Sequence, residues 1–295
     1  MRSHAMGMRW KLHGELYSYA AADGLVLNGF LVRSKAGNKR AIINVFGMTG
    51  DFFSSDRYHA MCRALGGSNT DIFLANNRGL GSWMRFKRQK EEDTFAGTAF
   101  EKFGESIHDI RGAVDLLAAL GYNEIILQGH STGAQKIAYY QYKKRDKRVK
   151  GLILIGAADD YNIARHGLGQ RFGKAVSIAK AMVAHGKGDK LTPAWISYYT
   201  AARFLSYADP KNVESRLFDY DGKLREFSAL RDPMLVVFGS KEEWALKPVN
   251  TYISILRKKT KSRRYKAVVI PGADHSFHGS EEALAKAVAK WAASL

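Results

Sequence analysis

The chain has 295 residues, 46% of them hydrophobic and 25% charged, with only five prolines. That balance can bury a substantial core and excludes a disordered or fibrous protein, and no apolar run approaches the roughly 18 residues needed to span a bilayer. The formal net charge is +18, enough to attract nucleic acid, an anionic membrane surface or acidic substrates.

The basic residues concentrate in RFKRQK (85–90), KKRDKRVK (143–150) and RKKTKSRR (257–264). These runs fall at expected helix ends or loops and carry few interleaved aromatics for stacking bases. They read as solvated surface, and no specific nucleic-acid site is expected. The N-terminal stretch MRSHAMGMRWKLHGELYSY lacks the apolar segment of a secretion signal; a cytoplasmic protein is the expectation, and MRSHAMG, ahead of a second Met, carries no structural signal. The single cysteine, Cys62, cannot form an internal disulfide and reads as a small buried apolar residue in a helix.

In chain order, ELYSYAAADG and LVLNGFLVRS have strand composition and are separated by the turn signal Asp23-Gly24, which predicts an antiparallel hairpin. Short β-branched apolar runs follow at 41–46, 71–76, 124–129, 151–156, 233–239 and 265–272. They are apolar throughout rather than alternating, as expected of strands buried on both faces. Between them, residues 105–120 place Ile107, Ile110, Val114 and Leu117 on one helical face with Gly121 as the stop. Residues 280–295 open on Ser280 as an N-cap with Glu281 and Glu282 in the first turn. Strands alternating with helices predict an α/β fold around a mostly parallel sheet.

One interval breaks the alternation. Residues 158–231 contain no strand of the buried type but do contain helical pieces near 172–184 and 193–207, which predicts a helical cap or lid inserted into a core of residues 8–157 and 232–295. Its aromatics Trp195, Tyr198, Tyr199, Phe204 and Tyr207 either line a pocket or pack the insertion itself.

The string GHSTG (129–133) lies between the buried run EIIL and the helical segment AQKIAYYQYKK. A GxSxG string alone is weak, but a strand before it and a helix after it are the context of a sharp turn that lifts a nucleophilic serine, here Ser131, above the sheet edge. A serine hydroxyl needs a base, usually His, steered by a carboxylate. The last strand ends in PGADHSFHG, which offers His275 in preference to His278, the latter lying at the approach to the final helix. For the acid, SKEEW after the preceding strand offers Glu242 and Glu243, and AADDYN offers Asp159 and Asp160. An oxyanion hole requires two backbone N–H groups. Thr132 follows the nucleophile, and Met48, in the glycine-flanked loop FGMTG after the first parallel strand, is the expected second donor.

These residues resemble the α/β-hydrolase superfamily from about Tyr17 onward. The resemblance rests on ADGLVLNGFLV, FGMTG, NNRGLGS, GHSTG, FGSKEEW and GADHSF standing in that order. It implies an α/β-hydrolase fold and selects Glu242, three residues beyond the strand-ending glycine, as the acid; the family more often has Asp there, which keeps Glu243 and the Asp159/Asp160 loop in play. Phe46 stands where many relatives have His. GDFFSS and SRLFDYDGKL are similar to the esterase branch that includes fungal siderophore-ester hydrolases.

The implied activity is hydrolysis of a small-molecule carboxylic ester through an acyl-enzyme on Ser131; the basic charge and the aromatics of the insertion suggest an acyl or aryl ester bearing negative charge. Thioester, amide or carbon–carbon bond cleavage on the same fold, and a non-catalytic receptor or scaffold, are the alternatives. No cofactor is expected: GLGQRFG (167–173) has the wrong glycine spacing for a dinucleotide loop, and the nine histidines show no paired spacing for zinc.

Overall fold

Eight strands form one sheet in a computed structural model that describes residues 12–53, 55–192 and 198–295. They are β1 (Glu15–Ala20), β2 (Val26–Val32), β3 (Arg40–Val45), β4 (Thr70–Ala75), β5 (Glu124–His130), β6 (Val149–Ile155), β7 (Met234–Gly239) and β8 (Tyr265–Ile270). Their spatial order is β1-β2-β4-β3-β5-β6-β7-β8. The opening hairpin pairs antiparallel, Glu15 against Leu31, and β2 meets β4 antiparallel. Every other neighbouring pair is parallel. The six apolar runs are therefore the six parallel strands, and the hairpin extends one edge.

Apolar side chains alternate between two cores because a strand projects successive residues to opposite faces. Ile125, Leu127, Leu152, Leu154, Met234 and Val236 join the first core, together with helices α2 (Ser106–Ala119), α3 (Thr132–Lys144) and α9 (Val249–Lys259). Ile126, Ile153, Ile155, Leu235 and Val237 join the second, against α1 (Asp56–Leu65) and α10 (Glu281–Ala292). Burial on both faces explains why these strands lack a polar alternation. Cys62 is buried in α1, and burial pushes its thiol up to about 12.

α2 ends where Gly121 turns at φ +91°, a left-handed value that glycine adopts without steric cost. Ser280 stands at the N-cap of α10, but its hydroxyl makes no capping hydrogen bond; the acidic pair Glu281 and Glu282 remains to face the helix dipole.

Between β6 and β7 lie α4 (Asp160–Leu168), α5 (Phe172–Ala184), α6 (Ala201–Ala208), α7 (Val213–Leu217) and α8 (Arg225–Ser228). The helix expected over 193–207 begins only at Ala201. It is preceded by a two-residue ribbon in which Leu191 and Thr192 pair with Thr200 and Tyr199, and Trp195 lies outside the described residues. α4, α5 and α6 share an apolar cluster that includes Phe204 and Tyr207. Leu217, Phe218, Tyr220, Leu224 and Phe227 instead join the first core of the sheet. The buried ion pair of Arg203 with Glu214, 2.5 Å, ties α6 to α7.

Candidate active site

The carboxyl ends of β3, β5, β6, β7 and β8 converge on one sheet edge, where ligands bind in open α/β folds. Register sets the neighbours: Val45 pairs with Gly129, and His130 with Ile155. The loop after β3 therefore lies beside the Ser131 turn on one side, and Gly156 lies beside it on the other.

Ser131 has φ +57° and ψ −129°, a backbone conformation that a non-glycine residue holds at a cost of order 1–3 kcal/mol. Ser131 N donates to the Ile155 carbonyl at 2.9 Å, and the Ser131 carbonyl accepts from Ala134 N at 2.9 Å. The flanking glycines are required by close approach. A Cβ on Gly129 would lie 2.2 Å from the Gly133 carbonyl oxygen, and one on Gly133 would lie 2.2 Å from that of Val45. Strand, turn and helix backbones are thus in contact, and the serine is presented above them.

The FGMTG loop packs against this turn. A Cβ on Gly47 would sit 2.8 Å from the His130 carbonyl oxygen and 3.2 Å from Ser131 Cβ. Asn77 Nδ2 donates to the Phe46 carbonyl at 2.9 Å, and Thr49 N donates to Thr98 Oγ1 at 2.7 Å, which pins the loop at both ends. Phe46, fully buried, packs edge-on against Tyr58 at 4.8 Å, an apolar contact at the base of this loop. Among the described residues neither the Met48 nor the Thr132 amide has an intramolecular acceptor.

His275 Nδ1 lies 2.7 Å from Glu242 Oε1, with both side chains nearly buried. Neither His275 Nδ1 nor Glu242 Oε2, both buried, makes a hydrogen bond among the described residues. Glu242 Oε1 also accepts from Trp244 N at 3.3 Å. The four candidate carboxylates separate by contact. Glu243 receives the backbone N–H of His275 at 2.8 Å, and Asp159 caps α4 by accepting from Asn162 N at 3.0 Å. Asp160 Oδ2 lies 3.5 Å from Thr132 Oγ1. Burial pushes Asp159 up to about 6, and burial together with the Glu214 charge pushes Asp160 up to about 7. His278 Nδ1 pairs with Asp274 at 2.8 Å on an exposed surface.

A cavity of about 490 Å³ brings together Ser131, Thr132, Met48, His275 and Asp160, with Tyr199 and Tyr207 from the segment between β6 and β7. Such a volume suits a small molecule. No hydrogen bond joins Ser131 Oγ to His275 among the described residues, although both side chains line this cavity.

Three residues of the site escape a reading of the sequence. His130 Nε2 lies 2.8 Å from the His275 carbonyl, with the two rings 4.6 Å apart. The carbonyl can only accept, so Nε2 carries the proton. Burial, then the Arg57 charge, hold His130 well below the usual histidine range, so the ring is neutral. Gly156 turns at φ +54°, and a Cβ there would lie 3.1 Å from the His275 ring and 3.4 Å from Glu242 Oε2. Arg57, in the first turn of α1, also lines the cavity. His130 is adjacent to the serine and could have been singled out as its neighbour; the other two carry no local signal.

A family model described as "Protein of unknown function (DUF1749)" matches residues 90–292. The chain belongs to the DUF1749 family. No curated protein matches it. Among solved structures, this DUF1749 chain is similar to Est1E from Butyrivibrio proteoclasticus with ferulic acid bound, at 22% identity, TM-score 0.67 and coverage of 94% of this chain and 98% of that one. It is similar to the siderophore hydrolase EstB from Aspergillus fumigatus at 19% identity and TM-score 0.68, covering 96% and 97%. It is also similar to the carboxylesterase CesB from Bacillus subtilis at 16% identity and TM-score 0.58, covering 97% and 94%. At these identities the likeness is one of fold, and the fold of this DUF1749 chain is that of the α/β-hydrolases. No helix among its described residues is long and apolar enough to cross a membrane.

Proposed function

We propose that the protein is a serine hydrolase that cleaves a small-molecule carboxylic ester through an acyl-enzyme on Ser131. The observation that carries this reading is the placement of a serine at φ +57° and a histidine 2.7 Å from a buried carboxylate on the wall of one cavity.

In this reading His275 takes the proton from Ser131 Oγ as the oxygen attacks the ester carbonyl carbon. Glu242 orients the ring and stabilises the imidazolium, while the Met48 and Thr132 amides receive the charge on the tetrahedral oxygen. Collapse of that intermediate transfers the proton to the departing alkoxide and leaves the acyl group on Ser131. Water, deprotonated by His275, then releases the carboxylic acid. Catalytic hydrogen bonds such as that from Ser131 Oγ to His275 commonly tighten with substrate bound. The segment from α4 to α6 acts as a cap over the site, supplying Tyr199 from the ribbon and Tyr207 from α6 to its wall.

Est1E, whose structure holds ferulic acid, and the siderophore hydrolase EstB share the fold and support an ester as the substrate class. The direct test is turnover of short p-nitrophenyl esters by wild type and Ser131→Ala. Hydrolysis by wild type that falls by at least a thousandfold in Ser131→Ala supports the reading, and equal rates in the two proteins refute it.

A further inference from the structure

Arg57 is a cation on the cavity wall with no carboxylate to neutralise it among the described residues. Its Nε is buried and makes no hydrogen bond. Its Nη1 lies 3.1 Å from His130 Nε2, but that nitrogen already holds the proton it gives to the His275 carbonyl at 2.8 Å. One ring nitrogen cannot both give a proton to that carbonyl and accept one from the guanidinium, and a neutral imidazole in either tautomer leaves the Arg57 charge without an anion. Beyond it, among the described residues, the guanidinium has only the Tyr58 ring, 5.5 Å from its carbon. A partly buried arginine normally finds an anion, because its planar donors are costly to leave unpaired.

The contrast with the other enclosed arginines is direct. Arg78 is held by Asp109 at 2.8 Å and by Asp23 at 2.8 Å, and Arg203 is held by Glu214. Arg57 alone among these three lines the cavity, and it is the one without a carboxylate.

We propose that Arg57 receives a carboxylate of the substrate, so that the molecule cleaved is an ester carrying a second, free carboxylate, bound with that anion toward α1 and its ester carbonyl at Ser131. The proposal rests on Ser131 marking the reacting end of the cavity. Asp160, the acidic side chain on the same wall, lies against Thr132 and forms no ion pair with Arg57. It leaves the positive charge uncancelled. The carboxylate forms charge-assisted hydrogen bonds to the guanidinium, which fix orientation as well as adding affinity.

The test compares monophenyl adipate with its neutral counterpart phenyl hexanoate, reading phenol release in wild type, Arg57→Gln, Arg57→Lys and Lys258→Gln. Lys258 is an exposed residue of α9 outside the cavity, so its variant controls for attraction of anions by the overall charge. The readout is the ratio of kcat/KM for the anionic ester to that for the neutral one. The expected wild-type ratio is at least ten, unchanged in Lys258→Gln, partly kept in Arg57→Lys and reduced to within about twofold of unity in Arg57→Gln, with circular dichroism confirming the fold of each variant.

A wild-type ratio near one, or a ratio that survives Arg57→Gln, overturns the proposal while leaving the serine hydrolase intact. Binding of the same two esters to Ser131→Ala, measured calorimetrically, gives a second readout independent of turnover. If wild type hydrolyses neither ester, a binding preference for the anion that disappears on adding Arg57→Gln sustains the proposal by itself. Absence of that preference overturns it.

Discussion

His130 donates from Nε2 to the carbonyl of His275 at 2.8 Å, so the residue before the candidate nucleophile holds the backbone of the candidate base. The two loops of the site are coupled through a neutral imidazole kept so by burial and by the Arg57 charge. Replacing His130 by Ala removes this tie and leaves the His275 carbonyl without its donor. The expected result is a fall in kcat of about ten- to a hundredfold on a short p-nitrophenyl ester, in line with the sensitivity of catalysis to misplacement of about 1 Å. Stopped-flow or steady-state kinetics, with KM measured separately, checks it.

The carboxylates should separate by function as they do by contact. Glu242 lies at the His275 ring, whereas Glu243 accepts the His275 backbone N–H. Glu242→Gln is expected to lower kcat by a few orders of magnitude, and Glu243→Gln by about tenfold or less. A mild effect at Glu242 with a severe one at Asp160→Asn would move the acid to the loop after β6.

Gly156 offers a test of the floor beneath this pair. Alanine there must adopt φ +54° and set its Cβ 3.1 Å from the His275 ring. The left-handed conformation alone costs roughly 1–2 kcal/mol, so Gly156→Ala should lower the thermal midpoint by several degrees. It should also depress turnover more than a distant substitution of equal stability cost does. Calorimetry and kinetics on the same preparation separate the two effects.

Much of this arrangement was legible in the sequence because local chemistry announced it. The apolar runs gave the parallel strands, since a strand buried on both faces needs no polar positions. The glycines around Ser131 were visible because backbone contact excludes a side chain. Glu242, Glu243, Asp159 and Asp160 could not be separated from residues alone: their distinction lies in which loop end faces His275, a matter of register between β6, β7 and β8. Gly156 and Arg57 were invisible for the same reason, since each matters only through neighbours far away in the chain. The helix expected over 193–207 extended too far toward its N-terminus because its aromatic composition fits a ribbon as well as a helix.

Asp160 provides a pH signature. Its carboxyl, pushed up to about 7 by burial and by Glu214, faces Asp159, which raises it further, and Gln135 and Arg203, which oppose the rise. A folded value above the ordinary one, 3.8, means that the stabilising contribution is complete below about pH 4 and is lost as pH rises through about 7. Asp160→Asn removes this loss. The difference in thermal midpoint, variant minus wild type, should be near zero at pH 4 and positive by a few degrees at pH 8. A difference that is flat or reversed across that range would contradict the assignment.

The nucleophile itself is tested most directly by intact-mass and peptide-mapping mass spectrometry after exposure to a fluorophosphonate. One phosphonyl adduct per chain is expected, mapped to the peptide containing Ser131 and absent from Ser131→Ala. An unlabelled wild type, or equal labelling of Ser131→Ala, would contradict it.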